Sequence, residues 1–165
     1  MTTFLIRCTL GGMEETSFEK KGRVMALDVG SKRIGIAISD ATRTIAGSYG
    51  VMQRQSRQED YARYRQIMAE QDVTLLVVGL PTRSDGSDSD MATWIRDYAT
   101  AFGQTTNIPI EFWDESFTTR QAEESLALRG QRGKKAKARV DAVAAAFILQ
   151  SYLDAHAGEG EQVKG

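Results

Sequence analysis

The sequence holds one cysteine, Cys8, and one histidine, His156, and these two shortages remove several chemistries at once. A single thiol closes no internal disulfide. Neither residue suits a nucleophile-base pair, because Cys8 falls in the N-terminal stretch and His156 near the C-terminal one. There is no His/Cys cluster at zinc spacing and no Gly-x4-Gly-Lys-Ser/Thr phosphate loop. No apolar run reaches the roughly 18 residues a membrane span needs. The formal net charge of −1 gives no general attraction for polyanions, so any nucleic-acid contact has to come from a local cluster of Lys and Arg. Phe4-Leu5-Ile6 is cut short by Arg7 and does not look like the core of an export signal. A cytoplasmic protein without a membrane partner is expected.

What is present fits one domain. The chain has 165 residues, of which 41% are hydrophobic and 26% charged, the range of a globular protein large enough to bury a core. Residues 1–22 and 157–165 lack sustained periodicity and read as a mobile N-terminal extension, with Met13 an alternative start, and a disordered tail. The domain is expected to occupy 23–156.

Val24 to Val29 is a short apolar run closed by Gly30, the pattern of a central strand. After the turn Gly30-Ser31-Lys32-Arg33, Ile34 to Ser39 and Thr44 to Val51 read as two more strands of a meander. Residues 58–70 carry Tyr61, Tyr64, Ile67 and Met68 at helical spacing. Leu75 to Gly79 reads as another buried strand, 91–103 as a second helix and Ile110 to Asp114 as a fifth strand. Thr118 with Gln121 is a capping-box signal for a helix to Arg129, stopped by Gly130. A long helix from about Ala138 to His156 ends the domain. The sum is an α/β fold, a mixed five-stranded sheet with helices on both faces.

Carboxylates are the remaining candidates for chemistry. Asp28 ends an apolar strand, where an ionised group is costly without a cation or several donors facing it; capping the Gly30 turn is the alternative. Asp114 and Glu115 stand at the end of the fifth strand, and since neighbours point to opposite faces, only one of them can share Asp28's face. Asp141 lies on the same helical side as Ala145, Ile148 and Leu149, beside an apolar stripe; its alternative is a salt bridge to Arg139 or a nearby lysine. Carboxylates from two strands and a packed helix can converge on Mg²⁺ or Mn²⁺, hard cations that prefer oxygen ligands. Two such ions activate water and stabilise the leaving oxygen of a phosphodiester.

Arg129, Arg132, Lys134, Lys135, Lys137 and Arg139 form a basic stretch without an acidic residue, read as a mobile loop that grips phosphates beside Asp141. A solvated basic linker is its plainer reading. Lys32 and Arg33, in the turn after Asp28, join it as candidate nucleic-acid contacts. The polar stretches 81–90 and 130–137 are expected to order when substrate binds.

Leu27-Asp28-Val29-Gly30-Ser31-Lys32-Arg33-Ile34-Gly35-Ile36-Ala37-Ile38-Ser39-Asp40 resembles the opening signature of the YqgF family. Val78-Gly79-Leu80-Pro81 with Asp85-Gly86, Asp114-Glu115 before Thr118-Thr119, and Lys137 to Asp141 are similar to its later motifs, in the same order. The resemblance covers about 23–155. It implies a ribonuclease H-like fold akin to Holliday-junction resolvases, Asp28, Glu115 and Asp141 as the acids, and maturation of the 5′ end of pre-16S ribosomal RNA, with ribosome precursors as partners. Ser116 departs from the pattern, which has arginine there, and so does the stretch before 23.

The leading expectation is a metal-dependent nuclease on structured RNA. A DNA junction resolvase shares the chemistry; it is expected to dimerise, whereas an RNA nuclease works equally as a monomer. A non-catalytic RNA-binding assembly factor is a third reading, which Ser116 keeps open. A nucleotide-binding protein of the actin and sugar-kinase type, suggested by Asp28-x-Gly30, needs two such domains around a cleft and is too large for this chain.

Overall fold

A computed structural model of the chain describes residues 22–81, 89–114 and 134–157, with side chains from 140 onward in the last segment. Five strands form one sheet in the order β3-β2-β1-β4-β5. β1 (Arg23–Val29), β2 (Arg33–Ser39) and β3 (Ala46–Gln53) form the antiparallel meander. β4 (Val73–Leu80) and β5 (Ile110–Asp114) continue the sheet parallel to β1. The helices α1 (Arg57–Glu70) and α2 (Asp90–Gly103) are the crossovers, and α3 (Lys134–His156) comes last.

Side-chain alternation along β1 divides the core in two. Met25, Leu27 and Val29 face α1 and α2, where they meet Tyr64, Ile67, Ile95, Tyr98 and Phe102. Val24 and Ala26 face α3, where they meet Ala145, Ile148, Leu149 and Tyr152. Ile148 and Leu149 are fully buried, a contribution of about 1.5–3 kcal/mol each toward holding α3 on the sheet. Gln150 tightens the far end of this packing: its Oε1 accepts from Ala46 N at 2.9 Å and its Nε2 donates to Thr44 O at 3.0 Å.

Helix α1 begins at a capping box, with Ser56 Oγ accepting from Glu59 N and the Glu59 carboxylate accepting from Ser56 N. This sets its start at Arg57. The pattern Ser-x-x-Glu at 56–59 carried that signal. Helix α3 starts at Lys134, four residues before the expected start. Lys134, Lys135, Lys137 and Arg139 therefore belong to the first turns of a helix, and the basic stretch is not a loop from 134 onward. Lys and Ala are good helix formers, which outweighs the lack of apolar periodicity there. The expected helix at 118–129 lies outside the described residues.

Candidate active site

β1, β4 and β5 run parallel, so their carboxyl ends meet at one edge of the sheet, the usual place for sites in open α/β sheets. Asp28 sits at this edge. By alternation it shares the face of Val24 and Ala26, and so lies on the side that α3 covers. Its partner across the β1–β2 ladder is Gly35.

Gly35 is where α3 touches the sheet most closely. A Cβ built on Gly35 would stand 2.0 Å from the carbonyl oxygen of Asp141 and 2.5 Å from its carbonyl carbon. Only a residue without a side chain admits the helix backbone at this distance. The register then does the rest: Asp28 pairs with Gly35, and Gly35 carries the main chain of Asp141. Two acids 113 positions apart in the sequence (141 − 28) thus come to one spot on one face.

Arg33 completes the group. Its Nε donates to Asp141 Oδ2 at 2.8 Å, with both side chains about one-third exposed. The partner expected for Asp141 is Arg139 or a nearby lysine; the side chains of Arg139, Lys134, Lys135 and Lys137 lie outside the described residues, and the described partner is Arg33 at the start of β2. Sequence reasoning placed Arg33 among the nucleic-acid contacts and missed this pairing, because no local spacing relates residues 33 and 141.

Of the pair at the end of β5, Asp114 is paired in register with Leu80, whose side chain belongs to the core under α1 and α2. Asp114 therefore faces away from Asp28. Glu115, Ser116 and Arg132 lie outside the described residues, as do the side chains of Lys134, Lys135, Lys137 and Arg139. Among the described residues no group of three or more His, Cys, Asp or Glu stands close enough to hold a metal ion, and no helix is long and apolar enough to cross a membrane.

The turn between Asp28 and Arg33 is held from behind. Gly30 N donates to Arg33 O at 2.8 Å, Arg54 N donates to Lys32 O at 3.0 Å, and Arg54 Nη1 donates to Ser31 O at 3.2 Å. The Arg54 guanidinium in turn lies 4.3 Å from the centre of the Trp94 ring, and its Nε is 3.9 Å from Oδ2 of fully buried Asp60. Asp60 also accepts from Gln55 N at 3.0 Å and from Tyr98 Oη at 2.9 Å. The sequence reading did not find Arg54 or Asp60; the one available sign was an acid at an otherwise apolar position of α1.

Comparison with solved structures gives the class. The chain is similar to Thermus thermophilus RuvC in complex with a Holliday junction substrate, at 15% identity and a TM-score of 0.53, over 83% of this chain and 96% of that one. It is also similar to the fowlpox virus resolvase bound to Holliday junction DNA, at 11% identity and a TM-score of 0.50, over 81% and 97%. At these identities the likeness is one of fold, and it is the resolvase type of ribonuclease H-like fold. Sequence comparison gives the family. The RuvX model, described as Holliday junction resolvase, matches residues 22–155. Relatives that carry the provisional name pre-16S rRNA nuclease include one from Caldanaerobacter subterraneus subsp. tengcongensis, 41% identical over 80% of this chain and 96% of its own. Another, from Natranaerobius thermophilus, is 39% identical over 80% and 94%. The chain belongs to the RuvX family.

Proposed function

We propose that the chain is a nuclease that hydrolyses phosphodiester bonds of structured nucleic acid at the carboxyl edge of β1, β4 and β5, with the 5′ end of pre-16S ribosomal RNA as its substrate. Family membership supports the reaction class. The observation that carries the site is the stacking of Asp28, Gly35 and the Asp141 backbone, which gathers two acids on one face. Glu115 is the third acid of the proposal. Asp114 faces away from Asp28 and is not proposed as a ligand.

This donor set suits Mg²⁺ or Mn²⁺, because carboxylate oxygens are the ligands hard cations take; Arg33, which donates to Asp141 Oδ2, has to leave that oxygen for an ion to use it. Asp28, Glu115 and Asp141 would hold the ion, which would supply an activated water and offset charge at the phosphate. The protein's own part is to place the nucleic acid. Lys32 and Arg33 on the turn, with Arg132, Lys134, Lys135, Lys137 and Arg139 at and before the start of α3, bind phosphates. Cutting ribosome precursors implies a cytoplasmic enzyme, acting as a monomer or homodimer.

The test is cleavage of a labelled pre-16S 5′ leader RNA and of a four-way DNA junction, in Mn²⁺, Mg²⁺ or EDTA, by wild type and Asp28→Asn. Metal-dependent cutting of the RNA that the variant lacks is the expected result. Preference for the junction would move the proposal to DNA resolution. A folded protein that binds RNA and cuts neither substrate would make it an assembly factor.

A further inference from the structure

The contact between Arg33 and Asp141 joins two backbones that are each held in place by neighbours. Arg33 opens β2, its carbonyl accepts from Gly30 N, and it pairs with Gln53 of β3. Asp141 rests with its carbonyl on Gly35. Between these anchors the side chains meet through one guanidinium nitrogen, at 2.8 Å, and both are open to water. Such a pair is weakly held. A contact made by one side-chain nitrogen can be broken by rotating the Arg33 side chain.

A guanidinium is also the wrong permanent partner for an acid that must ligate a cation. It has five N–H donors and no acceptor, so on Asp141 it occupies an oxygen lone pair that a metal needs and adds positive charge at the same place. Phosphate is the partner its planar fork fits best, and Lys32 stands beside it on the same turn, at the edge where substrate is proposed to lie.

Resting on the proposed role of Asp141, we infer that Arg33 and a divalent cation compete for the Asp141 carboxylate, and that displaced Arg33 turns to a phosphate of the nucleic acid. Arg33 is thus a positioning residue that couples the two ligands. Each ligand removes an obstacle to the other, so ion binding strengthens nucleic-acid binding and, by linkage, the reverse holds to the same degree. Without nucleic acid, the arginine keeps the acid neutralised and ion affinity low.

The experiment is titration of the full chain with Mn²⁺ in the absence of nucleic acid, followed by electron paramagnetic resonance of the free ion. Arg33→Gln is expected to bind Mn²⁺ about tenfold more tightly than wild type, about 1.4 kcal/mol. Arg33→Lys should stay near wild type because it keeps the charge. Arg65→Gln removes an equal charge from α1 where Arg65 donates to Thr105, and should change nothing. In a second arm, Ca²⁺ should tighten binding of a fluorescent pre-16S 5′ leader RNA more in wild type than in Arg33→Gln, and equal tightening in both would overturn the coupling.

Mn²⁺ affinity of Arg33→Gln equal to or below wild type overturns the competition. Asp28→Asn and Asp141→Asn separate the two levels of the argument: if they lose Mn²⁺ binding while Arg33→Gln is unchanged, only the competition falls, and if they bind like wild type, the assignment of the acids falls as well. Circular dichroism melts establish that each variant is folded. Should Arg33→Gln not fold, Arg33→Met, which keeps the aliphatic stem, takes its place with the same expected gain.

Discussion

Replacing Gly35 by alanine adds one methyl group at the point where strand and helix touch. That methyl would lie 2.0 Å from the Asp141 carbonyl oxygen, against the 3.4 Å or more of ordinary contact, so the backbones have to part by up to about 1.4 Å (3.4 − 2.0). The obstacle is backbone on both sides, and no flexible side chain can swing aside. Lifting α3 by this amount loosens the seats of Ala145, Ile148 and Leu149 on Val24, Ala26 and Val77. Overpacking of this kind costs about 1–3 kcal/mol, and here the upper part of the range is expected. Function should suffer more than stability: a shift of about 1 Å in a positioned group costs roughly a hundredfold in rate, and the shift falls on Asp141 relative to Asp28. Gly50 is the control. It lies in the same sheet, paired with Ile36, and a Cβ there meets nothing within 4 Å. Gly50→Ala should be neutral or slightly stabilising, by about 0.5 kcal/mol through the unfolded chain. Urea unfolding and Mn²⁺-dependent cleavage of both variants make the comparison. Gly35→Ala as stable and active as Gly50→Ala would refute the claim that this glycine sets the distance between the two acids.

Two further outcomes follow from groups outside the site. Asp60→Ala removes the acceptor of the Tyr98 hydroxyl and the Gln55 N–H, together with the carboxylate facing Arg54 in the buried cluster; it should cost about 3 kcal/mol in urea unfolding, and Asp60→Asn distinctly less. In the β2–β3 turn, the Thr42 hydroxyl and the Ile45 and Thr44 N–H groups bind the Asp40 carboxylate and lower its pKa from 3.8 to about 2. A depressed folded-state pKa stabilises above the unfolded value and stops doing so as pH falls through the folded one. The melting-temperature gap between wild type and Asp40→Asn should therefore be full at pH 5 and above and close as the pH falls from about 4 to 2. A gap independent of pH would show that the carboxylate's charge is not what the turn uses.

The parts of the fold legible in the sequence are those written in local pattern. β1 and β5 are found to within a residue because apolar runs bounded by Gly30 and Pro109 leave little choice, and the first crossover helix is found because Tyr61, Tyr64, Ile67 and Met68 repeat at helical spacing. The start of α3 escapes because Lys134 to Arg139 has propensity without periodicity. The site divides the same way. Asp28 and Asp141 stand out because each is an acid beside apolar neighbours, a conflict visible in the sequence itself. What joins them is visible nowhere in it, since register and close approach are tertiary facts: Gly35 is one glycine among 15 until α3 is laid on it, and Arg33 is one more basic residue until 108 positions later Asp141 arrives beside it. The signature around Asp28 has a physical reading on these terms. In the proposed site Asp28 is the first acid, Gly30 makes the turn, Arg33 is the cation that meets Asp141, and Gly35 leaves the gap through which the Asp141 backbone reaches the sheet. A substitution at any of the four should disturb the same pair of carboxylates, although only two of the four carry a charge.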